Sequence, residues 1–267
     1  MPRQYPLSLA SGVLPGASPV ECVLAAKAAG FDAVGLWIEP ESLSAADLKA
    51  AQSALADSNL DVLDVEVIWL REGPLPAHYL RTLDIAVELN ARNVLVVSSD
   101  PDAQATCEKF ARLCAHVAST PLRVALEFAA FTEVVDLASA TTILQQVNHP
   151  NQALLVDALH LTRSGGRAEQ LGCVPASWLS YAQLCDSTLV GPLASEKAAI
   201  RDEAVNYRLC PGDGQLPLNE LMRFLPPALP LSLEIRSRSL YAAYPDRVER
   251  ARAVMRRAEH WLRGLKR

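Results

Sequence analysis

Four oxygen-bearing side chains end consecutive short apolar runs in the second half of the chain. The runs RVAL, ALLV, SYA and LSL are followed directly by Glu127, Asp157, Gln183 and Glu234. If these runs are parallel strands of one barrel, their carboxyl ends share the rim at which such a barrel carries its functional residues. The four side chains would then meet, partly removed from water.

Three carboxylates at one rim repel one another, and burying an unpaired carboxylate is costly. A hard divalent cation is the simplest way to relieve that repulsion. Carboxylate and amide oxygens favour Mg²⁺ or Mn²⁺, and Zn²⁺ or Co²⁺ are alternatives because a given site binds them more tightly. The competing interpretation is that each residue is a solvated loop start or a helix cap.

Five further residues have types that suit the same site. His160, three positions after Asp157, could act as a general base or hydrogen-bond donor, or could be a hydrogen-bonded core residue. Arg208 and Arg236 suit an anionic or polyhydroxy substrate, although surface ion pairs would explain them equally well. Glu66 and Trp69, on the third apolar run, could line a pocket or pack inside the barrel.

The elements that would position these residues alternate along the whole chain. Eight strand-like runs end at Ala10, Trp37, Glu66, Ser98, Glu127, Asp157, Gln183 and Glu234, and the first seven ends are 26 to 32 residues apart. This spacing is close to one strand–helix–strand unit of about 30 residues. We therefore predict an α/β protein, a single-domain (β/α)8 barrel over residues 1–267, with 187–214 as a long lid or substrate loop. A doubly wound open sheet is the alternative, but no GxGxxG follows the first run.

Composition excludes several classes of protein. The chain has 267 residues, 50% hydrophobic, with a net charge of −5, which does not fit a disordered chain or a nucleic-acid binder. No apolar run is long enough to span a membrane, and the N-terminal segment has no signal-peptide core, so we expect a cytoplasmic protein. Six scattered cysteines predict reduced thiols, inert at Cys185 and Cys210. Five histidines are too few for a histidine-rich zinc cluster.

Several motifs together resemble the xylose isomerase-like TIM-barrel superfamily, the sugar phosphate isomerase/epimerase group. They are AGFDAVGLW, LRTLDIAVELNARNVLVV, VALEF, LLVDALHL, YAQLCD, RLCPGDG and LSLEIRS, which span nearly the whole chain. Two departures are Asn90-Ala91 in place of Gly-Ala and PGDG in place of PGEG. The resemblance implies one divalent metal held by Glu127, Asp157, Gln183 and Glu234. Many members have histidine at the Gln183 position, and the glutamine variant is similar to bacterial 3-dehydroshikimate dehydratases.

The resemblance also implies a reaction that begins by removing a proton next to a carbonyl. In an isomerase or epimerase acting on a sugar or sugar phosphate, Glu127 and Glu234 would move protons on opposite faces of a metal-stabilised enediolate. In the alternative, a 3-dehydroshikimate or inosose dehydratase, His160 or a carboxylate takes the proton and a β-hydroxyl leaves. We expect a small polyhydroxy carbonyl substrate and no nucleic-acid or membrane partner. A homo-oligomer and a monomer are both compatible with the sequence. An AP-endonuclease-like enzyme and a silent binding protein fit less well.

Overall fold

Eight parallel strands form a closed barrel in which each strand pairs with its neighbours in sequence and β1 closes against β8. The computed structural model describes residues 3–265. The strands are β1 (Leu7–Leu9), β2 (Ala33–Trp37), β3 (Asp61–Leu70), β4 (Asn93–Ser98), β5 (Arg123–Glu127), β6 (Gln152–Asp157), β7 (Leu179–Leu184) and β8 (Leu231–Leu233). The (β/α)8 barrel predicted from the sequence is confirmed.

Helices follow the strands and surround the barrel. They are α1 (Pro19–Ala29), α2 (Ala45–Ser58), α3 (Ala77–Glu88), α4 (Ala103–His116), α5 (Leu137–Val147), α6 (Ala158–Arg163), α7 (Lys197–Asn206), α8 (Leu218–Phe224), α9 (Arg238–Ala243) and α10 (Arg247–Gly264). Across residues 3–265, none of the helices combines the length and the apolarity needed to cross a bilayer.

Local sequence signals explain where the first helices begin and end. Ser18 and Ser44 each accept a hydrogen bond from the backbone three residues later, and the acidic side chains of Glu21 and Asp47 bond back to the serine N–H. These capping boxes satisfy amide groups that a helix start leaves unpaired. Gly30 ends α1 in the left-handed conformation, with φ of 79°, which glycine adopts without steric cost.

Apolar side chains form two layers, one inside the barrel and one between the barrel and the helices. The inner layer contains Ala33, Leu63, Leu95, Val97, Ala125, Ala153, Leu155 and Tyr181. The larger outer layer packs the opposite faces of the strands against the helices. Because strand side chains alternate between the two faces, inward-pointing residues beyond the inner layer lie at the carboxyl-terminal mouth.

The predicted strand ends agree with the structure at some strands and differ at others. β4, β5 and β6 end at the predicted Ser98, Glu127 and Asp157. β3 continues four residues past Glu66 to Leu70. β8 ends at Leu233, so Glu234 is the first residue after its strand. The predicted long connection 187–214 contains helix α7.

Candidate active site

A cavity of about 180 Å³ opens at the carboxyl-terminal mouth of the barrel. We call it the mouth cavity. Its polar lining contains the predicted site residues Glu66, Glu127, His160, Gln183, Arg208, Glu234 and Arg236, and its apolar lining includes Trp37, Trp69 and Phe131. Asp157 adjoins this lining through its contacts with His160 and Arg208. The structure therefore brings together every residue that the sequence analysis assigned to the site.

Glu127 ends β5 as a buried carboxyl group without full hydrogen bonding. Its Oε1 atom is inaccessible to solvent and has no hydrogen-bond partner within residues 3–265. Burial and the nearby charge of Asp157 raise the pKa of Glu127 well above its usual range. A buried carboxylate of this kind is stabilised by a proton or by a cation.

Asp157 ends β6 and caps the N-terminus of α6. Its Oδ1 accepts the backbone N–H of His160 at 2.9 Å, and its Oδ2 accepts a hydrogen bond from Arg208 Nη1 at 2.5 Å. Burial by itself would raise the pKa of Asp157, but Arg208 and His160 hold it below its usual value. Asp157 is thus ionised at neutral pH.

His160 lies in the short helix α6, not on the strand, with its ring directed into the mouth cavity. Nε2 is 3.3 Å from Arg208 Nη2 and 4.0 Å from Glu127 Oε1. A guanidinium only donates hydrogen bonds, so Nε2 accepts and the proton is on Nδ1. Burial lowers the pKa of His160 to about 4. The imidazole is therefore neutral at pH 7.

Arg236 joins the carboxylates on β3 and after β8. Its Nε donates to Glu234 Oε1 at 2.6 Å, and its Nη2 lies 3.4 Å from Glu66 Oε2. Ser11 also donates to Glu66 Oε2, at 3.0 Å. Burial and the Glu234 charge raise the pKa of Glu66 to about 7. Arg208 and Arg236 are thus ion-paired within the site, Arg208 buried and Arg236 about a quarter exposed.

The donor set fits a divalent cation. One ligand atom from each of Glu127, Asp157 and His160 lies within 4.8 Å of the other two. Glu127 Oε1 and Glu234 Oε2 are buried oxygens with no hydrogen-bond partner in the described chain. Both Asp157 oxygens already accept one hydrogen bond, but a carboxylate oxygen has a second lone pair. Gln183 and Glu234 face the same cavity, although Glu234 is not part of that cluster. His160 can act as a nitrogen ligand only if Arg208 Nη2 releases Nε2, because a neutral imidazole has a single free lone pair.

Asp186 follows β7 but serves the backbone. Its two carboxylate oxygens accept N–H groups from four residues at 2.9 to 3.0 Å, namely Ser187, Gly212, Gly214 and Leu216. It therefore organises the PGDG turn. The neighbouring thiols are also outside the chemistry, because burial raises the pKa of Cys210 to about 11 and raises that of Cys185 further.

Sequence reasoning missed Arg201 and Phe131. Arg201, Ala204 and Val205 line the mouth cavity from one face of α7, as expected for residues three and four apart on a helix. The i, i+3, i+4 pattern was present in the sequence. It carried no signal about the site because nothing fixed the path of the 187–214 connection.

The model of the xylose isomerase-like TIM barrel family matches residues 23–263. No curated protein matches the chain. Among solved structures, IolI protein with a bound zinc atom is 15% identical with a TM-score of 0.80, covering 97% of each chain. D-allulose 3-epimerase from Methylomonas sp. is 14% identical with a TM-score of 0.70, covering 99% of each chain.

Two further solved structures share the fold. The probable 3-DHS dehydratase AsbF from Bacillus anthracis is 16% identical with a TM-score of 0.68, covering 95% of this chain and 98% of that one. A fusion of a xylose isomerase-like TIM barrel with 4-hydroxyphenylpyruvate dioxygenase is 21% identical with a TM-score of 0.79 over 95% of this chain. The present chain spans 42% of the length of that fusion protein.

Proposed function

Because this chain belongs to the xylose isomerase-like TIM barrel family, we propose that it is a divalent-metal-dependent isomerase or epimerase. Its substrate is a small polyhydroxy carbonyl compound, a sugar or sugar phosphate, and the reaction begins with removal of a proton next to the carbonyl. The observation that carries this proposal is the pair of buried, unpartnered carboxylate oxygens, Glu127 Oε1 and Glu234 Oε2.

Glu127, Asp157, Gln183 and Glu234 are the proposed metal ligands. The metal is Mn²⁺ or Mg²⁺, with Zn²⁺ or Co²⁺ as alternatives. When bound, the cation supplies a Lewis acid that stabilises the negative charge developing on a substrate oxygen. A zinc atom in the IolI structure is consistent with a divalent ion in this fold.

The two glutamates transfer the proton. Glu127 ends β5 and Glu234 follows β8, so they approach a substrate in the mouth cavity from different strands. One carboxylate removes the proton from carbon to give an enediolate, and the other returns a proton to the neighbouring carbon or to the opposite face. Arg236 holds the Glu234 carboxylate in place through Oε1.

The remaining lining residues orient the substrate. Arg208 and Arg236 donate hydrogen bonds to hydroxyl groups with the N–H groups not used by Asp157 and Glu234. Glu66 accepts one from a hydroxyl, and Trp69 forms part of the apolar wall. We also propose that the protein acts in the cytoplasm and needs neither nucleic acid nor a membrane.

A dehydratase is the second candidate, favoured by His160. Burial keeps the His160 imidazole neutral at pH 7, with a pKa of about 4, so it can take up the proton next to the carbonyl as a base. Glu127, whose pKa is raised, can supply the proton with which the β-hydroxyl leaves as water. Gln183 and the likeness in fold to a probable 3-DHS dehydratase support the same alternative. Both reactions begin with the same proton abstraction.

Metal content tests the shared part of the proposal. We expect about one equivalent of metal in purified protein supplied with Mn²⁺, and much less in Glu234→Gln, which removes one anionic ligand. Glu133→Gln is the matched control, because Glu133 is half-exposed and pairs with Lys197 outside the mouth cavity. Equal, negligible metal in all three proteins would refute the metal assignment.

Deuterium exchange separates the two reactions. The Mn²⁺-supplied protein is incubated in D₂O with ketoses, sugar phosphates, inososes and 3-dehydroshikimate. An epimerase or isomerase incorporates deuterium into recovered sugar without loss of water, whereas a dehydratase converts its substrate into an eliminated product. Failure of every compound to exchange would contradict the proposed proton abstraction from these substrates.

A further inference from the structure

The two arginines nearest to the reacting groups already face carboxylates. Arg208 bonds to Asp157, and Arg236 bonds to Glu234 and lies beside Glu66. Their positive charge is balanced within the protein, so each can orient a hydroxyl group but has little charge left for an anionic substrate. An anionic group placed among Glu66, Glu127 and Glu234 would also be repelled.

Arg201 is different because its charge is unbalanced. It is exposed on α7, lines the mouth cavity, and has no ion-pair partner among residues 3–265. Lys197, one turn earlier on the same helix, is paired with Glu133 at 3.1 Å. Of the two basic side chains on α7, the one without an ion-pair partner is therefore the one that faces the cavity.

A fixed aromatic side chain lies beside this charge at the rim. The Trp69 indole N–H donates to Ser99 Oγ at 2.9 Å, and its ring centroid is 4.3 Å from Arg71 and 6.0 Å from Arg201. Arg71 also has no ion-pair partner in the described chain. Stacking on an aromatic ring orders a guanidinium while leaving its N–H edge free for a carboxylate or phosphate.

The same tryptophan begins a row of rings that leads inward. Trp69 and Phe131 have centroids 6.4 Å apart, and Phe131 and His160 have centroids 5.5 Å apart. His160 in turn lies beside Glu127. A molecule lying along this row in the mouth cavity has one end at Arg201 and the other at the proposed catalytic groups. Arg71, on the Trp69 ring, lies beside the first end and outside the cavity lining.

We propose that Arg201, assisted by Arg71, binds an anionic group of the substrate at the rim of the mouth cavity. The substrate class is thereby narrowed to hydroxy-carbonyl compounds that carry a carboxylate or a phosphate at the end remote from the reacting carbon. Neutral sugars lack the group that these arginines bind. This inference rests on the proposed function, since it deepens the substrate class of the same site.

Matched charged and neutral ligands test the proposal by calorimetric titration of the Mn²⁺-supplied protein. The phosphate arm compares D-fructose 6-phosphate with D-fructose, and the carboxylate arm compares 3-dehydroshikimate with its methyl ester. We expect the charged member of at least one pair to bind about tenfold more tightly, as the loss of one charge-assisted contact implies. The arm that shows the preference identifies the anionic group.

Arginine variants test whether the preference for the charged ligand comes from the rim. Arg201→Gln should remove the preference by weakening binding of the charged ligand alone. Arg112→Gln should leave it unchanged, because Arg112 is exposed on α4, has no ion-pair partner within residues 3–265 and does not line the cavity. Unaltered thermal midpoints show that both variants are folded.

The proposal is wrong if the wild type shows no preference for charge, including no binding of either anion, or if Arg201→Gln binds the charged ligand as well as the wild type. Titrating Glu234→Gln in parallel keeps the two proposals separate. Glu234→Gln tests metal binding, and this variant should still bind the charged ligand more tightly than the neutral one.

Discussion

Glu127 and Asp157 are neighbouring buried carboxyl groups whose pKa values move in opposite directions. Burial raises the pKa of Glu127, and the charge of Asp157 raises it further. Asp157 experiences the same burial, but it bonds directly to Arg208 and remains ionised. One ion pair therefore distinguishes the two groups. It leaves Glu127 as the carboxyl group that gains most from a bound cation.

A second buried ion pair connects two of the helices beside this site. Arg163, in α6 three residues after His160, bonds through Nε and Nη2 to both oxygens of Glu203 on α7, at 2.7 and 2.6 Å. The next residue on α7, Ala204, accepts a hydrogen bond from Arg208 Nε at 2.7 Å through its carbonyl. The pair therefore joins the helix that carries His160 to the helix that holds Arg208.

We predict a pH-dependent loss of stability in Glu203→Gln. Despite the opposing effect of burial, Arg163 and Ser187 lower the pKa of Glu203 below its usual 4.5. The stabilisation is complete above about pH 4.5 and is lost as the pH falls through the lowered, folded-state value. At pH 7, urea unfolding should show a loss of about 3 kcal/mol, because the variant leaves Arg163 buried without its partner.

The half-exposed pair Lys197–Glu133 provides the control for that measurement. Glu133→Gln should cost no more than about 1 kcal/mol, because water screens an exposed ion pair. The gap between the wild type and Glu203→Gln should narrow as the pH falls below 4.5. A gap that stays constant down to pH 3 would contradict the assigned titration.

Predicting the site from the ends of the strand-like runs identified its acidic residues but not the arginines that pair with them. Glu127 and Asp157 could be predicted because each ends an apolar run, which is a local pattern. The bonds from Arg208 to Asp157 and from Arg236 to Glu66 join residues 51 and 170 positions apart. Such pairings depend on how the barrel closes and on side-chain direction, and no local pattern encodes either.

The turn between α7 and α8 depends on one carboxylate. Asp186 accepts four backbone N–H groups, three of them from Gly212, Gly214 and Leu216. Gly214 is so close to it that a Cβ atom would lie 2.5 Å from Asp186 Oδ1 and 2.4 Å from the Ser187 carbonyl oxygen. Glycine is required here for close approach, because any larger residue displaces the carboxylate or the backbone.

Gly214→Ala should therefore loosen this turn and destabilise the protein by about 2 kcal/mol, the usual cost of overpacking. Hydrogen exchange of the amides in 212–216 should accelerate, since these groups lose their acceptor. Gly172→Ala is the matched control, as no atom lies within 4 Å of a Cβ placed there. The explanation fails if both variants unfold at the same urea concentration and exchange like the wild type.

Helix and strand boundaries were predictable where local signals are strong. The capping boxes at Ser18 and Ser44 and the αL glycine at Gly30 are encoded by adjacent residues. The end of β3 was not predicted, since Ile68, Trp69 and Leu70 pair with β4 beyond an irregularity in the register. A register shift arises from the neighbouring strand, so the sequence of β3 alone does not contain it.

Closure of the barrel brings acidic groups from distant parts of the chain to one end of the molecule. Glu66, Glu127 and Asp157 lie on three strands and Glu234 directly follows a fourth, and within residues 3–265 the only arginines that pair with them are Arg208 and Arg236. Some of the stability gained by the two apolar layers is therefore offset by uncompensated carboxylates at the mouth. Under the proposed function, a divalent cation would relieve this repulsion, so metal binding and global stability should be coupled.

Thermal unfolding with and without metal tests that coupling. A ligand bound only by the folded state adds about 2.7 kcal/mol at one hundred times its Kd, which raises the midpoint of a domain this size by several degrees. We expect Mn²⁺ to raise the wild-type midpoint reversibly, with EDTA lowering it again. Glu127→Gln should respond little to Mn²⁺, yet should be at least as stable as the wild type in EDTA, because it removes a repelling carboxyl group. Glu133→Gln should respond like the wild type. Equal midpoint shifts in wild type and Glu127→Gln would place the stabilising metal outside the mouth cavity.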